Sequence, residues 1–477
     1  MARGRIEILS RHDVERIHGT SIMVLEKVGV MVHSPLVSEA LMEAGGRKSG
    51  DGTRLLMPEG MVKEALRTAP KKMTLASRDG KNDLMIPSDR LYVANGGEGV
   101  YMKDMVTGET HPANSDDLRK FAILSEALPQ ADFFWPMVGA QEQPVELKGI
   151  TEADVSLRHT RKHVQAMATN MQEARDMVDL AALLVGGKEE LAKRPIISAV
   201  ECPISPLTFE HGLVEGQFEL SKWGIPVVAM SAAVAGLTSP VTIAGTTAQV
   251  NAENLASLVI SQTANSGAPF IYSSDSCPGD LQGGSIDYSA LEAPLMRAAF
   301  GQMGRSYGLP TMVTGIGTEG LSASLANAWE GVPHVALQTL IPSDLGSGFG
   351  GVDQAMGAST EQFVADAWIW DVARNIGRDF EFDDAAISFE TIRDAGIDGN
   401  FLSKRHTVTR FRKEAVSTTM PAAAPATRAM EKERGALIRR AKLEADRILA
   451  SGGQVVSKEE DAAMAELMGR IRGRYGR

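Results

Sequence analysis

From residue 130 to 340 the sequence alternates between short apolar runs and longer amphipathic ones, and few folds accommodate that rhythm. The apolar runs are DFFWPMVGA (132–140), VQAMATN (164–170), RPIISAVEC (194–202), IPVVAMSA (225–232), APFIYSSDS (268–276), LPTMVTGIG (309–317) and PHVALQTL (333–340). Between them lie stretches such as MQEARDMVDLAALLVG and FEHGLVEGQFELSKWG, whose apolar residues recur at helical steps. A strand that passes through a helix to the next strand returns right-handed and parallel, so the alternation builds a parallel sheet covered by helices. Seven such units, plus a strand from the 91–104 region or elsewhere, suffice for a closed TIM (β/α)8 barrel. Spacing alone leaves an open, doubly wound sheet as the alternative. Several runs end in Gly, Ser, Asn or Asp, as loops that line a site at the strands' C-terminal ends would require.

The flanks read differently. Val14, Ile17, Ile22, Val24, Leu25 and Val28 have helical spacing, and Ser34-Pro35 starts a further helix. LYVANGG (91–97) and VYMKD (100–104) read as two strands around a glycine turn, and Ser115 as the cap of a helix. After 360 the chain turns helical again, with a linker, MPAAAPA, at 420–426 and a charged helix over about 428–450. The expected division is an N-terminal helical region with a β-hairpin (1–130), the main part of the barrel (131–360) and a C-terminal helical extension (361–477).

Composition excludes several classes of function. A net charge of -11 argues against a nucleic-acid surface. No run approaches the ~18 apolar residues that span a bilayer, and the first residues lack the apolar core of a secretory signal. Two cysteines, Cys202 and Cys277, make no disulfide framework, so cytoplasmic residence is the simplest reading. The expected partner is a small molecule or another protein, and a homo-oligomer is compatible with the composition.

Three stretches carry a resemblance. They are SIMVLEKVGVMVHSPLVSEALMEAGG with LLMPEGMVKEALRTAPK, GLTSPVTIAGTTAQVNAENLASLVI (236–260) and DAGIDGNFLSKRHTVTRFRKE (394–414). The last is similar to a G-x-x-G-x-F-L-x-x-x-H-T signature in Gly396, Gly399, Phe401, Leu402, His406 and Thr407. In this order they resemble the trimethylamine methyltransferase family of corrinoid-dependent enzymes. The resemblance implies a TIM barrel whose mouth holds a methyl donor, to which a separate corrinoid protein presents Co(I) as nucleophile. Founding members carry pyrrolysine in the barrel; here the equivalent stretch, TGIGTEG (314–320), offers Gly315, Gly317, Thr318 and Glu319 instead. That departure suits a quaternary amine such as glycine betaine or a related betaine. Such a donor already carries its positive charge, leaves as a neutral tertiary amine and needs positioning more than covalent activation.

A quaternary ammonium offers no hydrogen-bond donor, so recognition falls to aromatic faces and anions. Phe133 and Trp135 lie on the first of the seven runs, Tyr272 on the fifth, and Phe349 among the glycines of GSGFGG. Glu201, Asp275 and Glu319 follow the third, fifth and sixth, where a buried charge needs a partner or a task. Asn251 and Glu253, in a helix expected to begin at Ser239-Pro240, suit bracing of loops, and His406 suits a structural role. His159 and His163, in RHTRKH, are four apart but sit in a basic, surface-like run. Cys202 and Cys277 could meet across the mouth, which would suit a zinc-dependent corrinoid methyltransferase, but no third ligand is visible, and no tightly bound metal is expected. A non-catalytic barrel that binds a quaternary amine or a corrinoid protein is the other alternative.

Overall fold

In the computed structural model, which describes residues 5–315, 334–414 and 436–476, seven strands pair side by side in parallel. They are β1 (Tyr92–Asn95), β2 (Val164–Ala166), β3 (Ile197–Glu201), β4 (Val227–Ser231), β5 (Phe270–Ser274), β6 (Thr311–Thr314) and β7 (Leu345–Phe349). Their spatial order is β1-β7-β6-β5-β4-β3-β2. The extended segment 132–138 joins the two edges. On one side the Phe134 amide donates to the His163 carbonyl at 2.9 Å and the Gln165 amide to the Phe134 carbonyl at 2.8 Å. On the other the Asp132 amide donates to the Val93 carbonyl at 2.7 Å, and the Asn95 side-chain amide donates to the Trp135 carbonyl. Pro136 has no N–H to give a ladder, which accounts for pairing through isolated bridges in place of a regular strand. The sheet is therefore a closed barrel with eight positions, a TIM barrel, and the open sheet is excluded.

The barrel departs from the sequence reading in its first and last strands. LYVANGG and VYMKD do not pair with each other: β1 pairs with β7, and Tyr101–Lys103 forms a hairpin with Thr110–Pro112. PHVALQTL is helical from residue 334; its buried residues His334, Val335, Gln338 and Thr339 recur at four-residue steps, a helix face and not an alternation. The strand falls instead in LGSGF, where glycine removes the apolar pattern that would announce one. The register shifts between Ser347 and Phe349, and Gly348 at the bulge has φ +146°, a backbone that side chains disfavour. The barrel thus takes in residues on both sides of 131 and 360, since β1 precedes the first position and the helix Thr360–Ala373 follows the second.

Inside, alternation splits each strand into two faces. Ala94, Val200, Val228, Ile271, Met312 and Leu345 point inward and form one cluster with Phe133 and Trp135. A small hairpin, Met73–Leu75 with Leu84–Ile86, adds Leu75, Leu84 and Ile86 and plugs the foot of the barrel. Outward residues meet the helices. The helix Ile243–Ala264, capped by Thr242 and so starting later than Ser239-Pro240, is buried for most of its length between the barrel and the N-terminal helices Arg11–Met23 and Glu59–Thr68. Asn114, one residue before Ser115, caps the helix Ser115–Ala127 through a reciprocal box with Asp117.

After the helix Thr360–Ala373 the chain leaves at the barrel foot. Asn375, Gly377 and Arg378 line a cavity with Asp89, Arg90 and Thr339, residues that precede β1 and β7. Two last helices return to the barrel. Ala436–Ser451 packs on Thr360–Ala373 and Ser115–Ala127, burying Leu437, Ile438, Ala441, Ala445 and Ile448. Lys458–Arg474 packs on Met171–Leu183 and Val145–His159 through Met464, Leu467, Met468 and Ile471.

Candidate active site at the barrel mouth

Asp275 follows β5 on the inward face set by Ile271 and Ser273. Both of its oxygens accept hydrogen bonds: one from the Thr314 hydroxyl at the end of β6, the other from the Tyr288 hydroxyl at 2.5 Å. Burial pushes its pKa up, while those two donors and the positive field of Arg297 oppose the shift. A carboxylate with an O–H aimed at each oxygen is held in one orientation as an acceptor. Across the mouth, the Trp135 indole packs against the chain after β1, so close that a Cβ at Gly97 would come within 2.3 Å of the ring. Its Nε1–H is buried without an acceptor among the described residues.

More carboxylates converge here from a loop and two helices. Glu98, held at φ +63°, follows β1, and its backbone amide donates to the Pro136 carbonyl at 3.0 Å. Glu152, on the helix Val145–His159, accepts from the Ala140 amide at 3.0 Å. Glu173, on the helix Met171–Leu183, accepts from the amides of Thr169 (2.7 Å) and Ile150 (2.9 Å). Lys148 lies against Gly139 and offers this group a cation. Burial raises the pKa of all three; repulsion from Glu173 adds to the rise at Glu98, and Glu98 in turn helps push Glu152 up to about 8. Burial, more than repulsion between them, is what favours the uncharged form of each.

Beside Asp275 stands a buried cation. Arg297, on the helix Ala293–Ser306, is 1% exposed and packs against Gly315, which at φ +89° leaves room for the guanidinium where any side chain would collide. Among the described residues its hydrogen-bond contacts are His334 Nδ1 at 3.4 Å and Cys277 Sγ at 3.5 Å, and no carboxylate forms an ion pair with it. Burial, and after it the charge of Arg297, lowers the pKa of His334 to about 4. The Cys202 thiol faces the same mouth, and burial followed by Glu201, Glu98 and Asp275 raises its pKa.

The predicted site residues therefore separate. Trp135 and Asp275 reach the mouth, Phe133 lies one step deeper in the interior cluster, and Gly315 holds Arg297. Glu201 shares the outward face of Ile197 and Ala199 and lines a small cavity with Phe209, Leu213 and Gln217, so it looks away from the lumen. One of its oxygens has no hydrogen-bond partner among the described residues, and burial and then Glu173 raise its pKa well above the ordinary range. Tyr272 also faces outward, its hydroxyl donating to Asn251 Oδ1 at 3.1 Å and its ring 6.4 Å from Tyr307. Phe349 would share the face of Leu345 under strict alternation, but the bulge at Gly348 turns it against Phe363, 6.2 Å away. Gly317, Thr318 and Glu319 lie outside the described residues.

Asn251 and Glu253 brace the fold: Asn251 bonds Ser21 and Tyr307, and Glu253 accepts from the Leu207 amide and Ser205. RHTRKH is not a surface run. His163 is buried between Ser198 Oγ at 2.9 Å and the Ala76 carbonyl at 3.2 Å, and Lys162 is buried against the carbonyls of Ser125, Leu128 and Ala131. The sequence reading missed Glu98, Lys148, Glu152, Tyr288 and Arg297. Lys148 and Glu152 have the i, i+4 spacing of an exposed helix pair, which disguises them. Among the described residues no three His, Cys, Asp or Glu side chains are grouped to hold a metal ion, and no helix is long and apolar enough to cross a membrane.

The model of the trimethylamine methyltransferase family matches residues 2–466. A trimethylamine methyltransferase of Desulfitobacterium hafniense (strain DSM 10664 / DCB-2) is 27% identical over 408 residues, 86% of this chain and 82% of its own. A glycine betaine methyltransferase of Desulfitobacterium hafniense (strain Y51) is 26% identical over 424 residues, covering 87% of each. Among solved structures, the hydroxylamine MtmB complex aligns over 92% of both chains with a TM-score of 0.48 and 10% identity.

Proposed function

The chain belongs to the trimethylamine methyltransferase family, and on that premise we propose that it moves a methyl group from a quaternary amine to a corrinoid carried by a separate protein. The observation that carries this reading is the mouth itself: several acidic side chains gather there beside one indole face, and a cation entering among them would favour their ionised forms. A fixed ammonium is such a cation. The quaternary head sits between Asp275 and the ring of Trp135, where anion and π-face both favour a cation. Arg297 is the guanidinium on hand for the carboxylate tail of a betaine. One of the named relatives acts on glycine betaine, which makes betaines the first donors to try.

The chemistry asks little of proton transfer. As a methyl C–N bond breaks, nitrogen keeps the bonding pair and departs as a neutral tertiary amine, and the methyl passes in line to the corrinoid. The cation disappears along that path, so an ionised carboxylate beside it favours the bound substrate over the transition state. Burial that favours the uncharged forms of Glu98 and Glu152 softens this penalty, while Asp275, with both oxygens engaged, fixes the head in place.

Purified protein mixed with Co(I) cobalamin and a panel of betaines tests the reading. Conversion of the Co(I) absorbance to that of methylcobalamin, with release of the tertiary amine, is the result expected with one donor. Binding of a betaine without that conversion would favour a barrel that captures its ligand and does no chemistry.

A further inference from the structure

Gln165 is the middle residue of β2. Its neighbours Val164 and Ala166 pack outward among the helices, so alternation sends Gln165 into the lumen. It is fully buried, and neither its amide oxygen nor its amide nitrogen has a hydrogen-bond partner among the described residues. Other buried amides with one idle atom still use the other. Gln130 donates to Asp371, Asn254 to the Ser273 carbonyl at 2.9 Å and Gln338 to the Thr314 carbonyl at 2.7 Å. An amide buried with both ends idle is costly, and folded proteins pair such groups with protein, water or ligand.

The backbone amide of Gln165 donates to the Phe134 carbonyl at 2.8 Å, and Phe134 bridges to Val164. The residues that follow, Trp135 and Gln165, therefore sit side by side on the inward face. Trp135 contributes the indole N–H that has no acceptor among the described residues. Inward on β5, the Ser273 hydroxyl is likewise without a partner there, so the idle groups face a common space. Whichever way the Gln165 amide is turned, the pair offers N–H donors and one carbonyl acceptor. A carboxylate can only accept; it would leave that carbonyl idle and enter a mouth already lined with Glu98, Glu152 and Asp275. A hydroxyl accepts from the indole N–H and donates to the amide carbonyl, and so uses both. Building on the quaternary-amine reading, we propose that Gln165 and the Trp135 N–H form a hydroxyl-binding subsite, and that the preferred donor is a quaternary amine bearing a hydroxyl group. A lodged water molecule has the same hydrogen-bonding chemistry, and matched ligands separate the two.

Calorimetric titration of the full chain with two matched pairs tests the subsite. One pair is choline and ethyltrimethylammonium; the other is trimethylammonio-butanoate with and without a hydroxyl on the carbon next to the ammonium methylene. The parent should bind the hydroxylated member of at least one pair about tenfold or more tighter. In Gln165→Leu that ratio should fall to near one, while the melting temperature holds or rises because an unpaired amide is gone. Trp135→Phe keeps an aromatic face and removes the N–H, so it should lower the ratio even where it weakens both members, and it carries the test if the first variant does not fold. A parent that binds both members of each pair alike overturns the proposal and leaves Gln165 to an ordered water. A preference that survives in both folded variants also overturns it, since the hydroxyl is then read elsewhere. Failure of all four compounds to bind overturns the quaternary-amine reading, and the subsite with it.

Discussion

The foot and the mouth of the barrel are built from the same strands by the same alternation, and they are chemical opposites. At the foot, Leu75, Leu84, Ile86 and Phe133 close the lumen with apolar volume. A few residues further along, the inward positions become Trp135, Cys202, Asp275 and Thr314, and a loop and two helices add Glu98, Glu152 and Glu173. The foot is stable as it stands. The mouth collects carboxyls whose charge is suppressed, at a cost the foot has to offset, and such a cost is tolerated where a ligand relieves it.

That contrast can be broken by substitution. Phe133→Ala removes an aromatic from the packed end and should cost about 3–5 kcal/mol of stability. Turnover per folded molecule should stay within a factor of a few, measured by denaturant melts beside initial rates. Equal loss of activity in the molecules that remain folded would extend the site down to the plug. Asp275→Asn should do the reverse: kcat/KM falls about 100-fold, or ~2.7 kcal/mol, while the melting temperature holds or rises because a buried charge is gone.

The acidity of the mouth gives the third test. Glu152 has a folded-state pKa of about 8, above its ordinary 4.5. The folded protein therefore holds a proton that the unfolded chain has released, and this group's contribution to stability is fully present below pH 4.5 and lost as pH rises to about 8. A bound cation prefers the ionised form, so affinity for a quaternary amine should rise by up to tenfold per pH unit toward pH 8, then level off. With it kcat should fall, since the charge favours ground state over transition state. Glu152→Gln should flatten both profiles; a parent already flat from pH 6 to 8.5 would remove Glu152 from the account. The smallest effect belongs to Trp135→Leu, which keeps apolar bulk and loses the quadrupole. Betaine binding should weaken by about two- to thirtyfold, or 0.5–2 kcal/mol, while a neutral isostere with carbon in place of nitrogen binds both proteins alike.

How much of this was legible follows the same divide. The barrel was readable because strand–helix alternation is a local pattern, and so were Trp135 and Asp275, which the strands themselves deliver. Tyr272 was misplaced by a single position, since one step along a strand exchanges lumen for helix layer. Phe349 was misplaced by a bulge in a glycine-rich strand that shows no apolar rhythm. Glu98, Lys148, Glu152 and Arg297 were not readable at all. They come from a loop and from helices, and meet only once the sheet has closed on itself.

The two last helices have a further consequence, one of timing. Ala436–Ser451 and Lys458–Arg474 cover parts of four barrel helices, Thr360–Ala373, Ser115–Ala127, Val145–His159 and Met171–Leu183. During synthesis the earliest of these helices emerge some 300 residues before their covering exists, about 15–60 s at ordinary rates of elongation. For that interval the nascent barrel carries a sticky seam, such as chaperones recognise, and a message cut short before codon 436 would leave the seam uncovered for good.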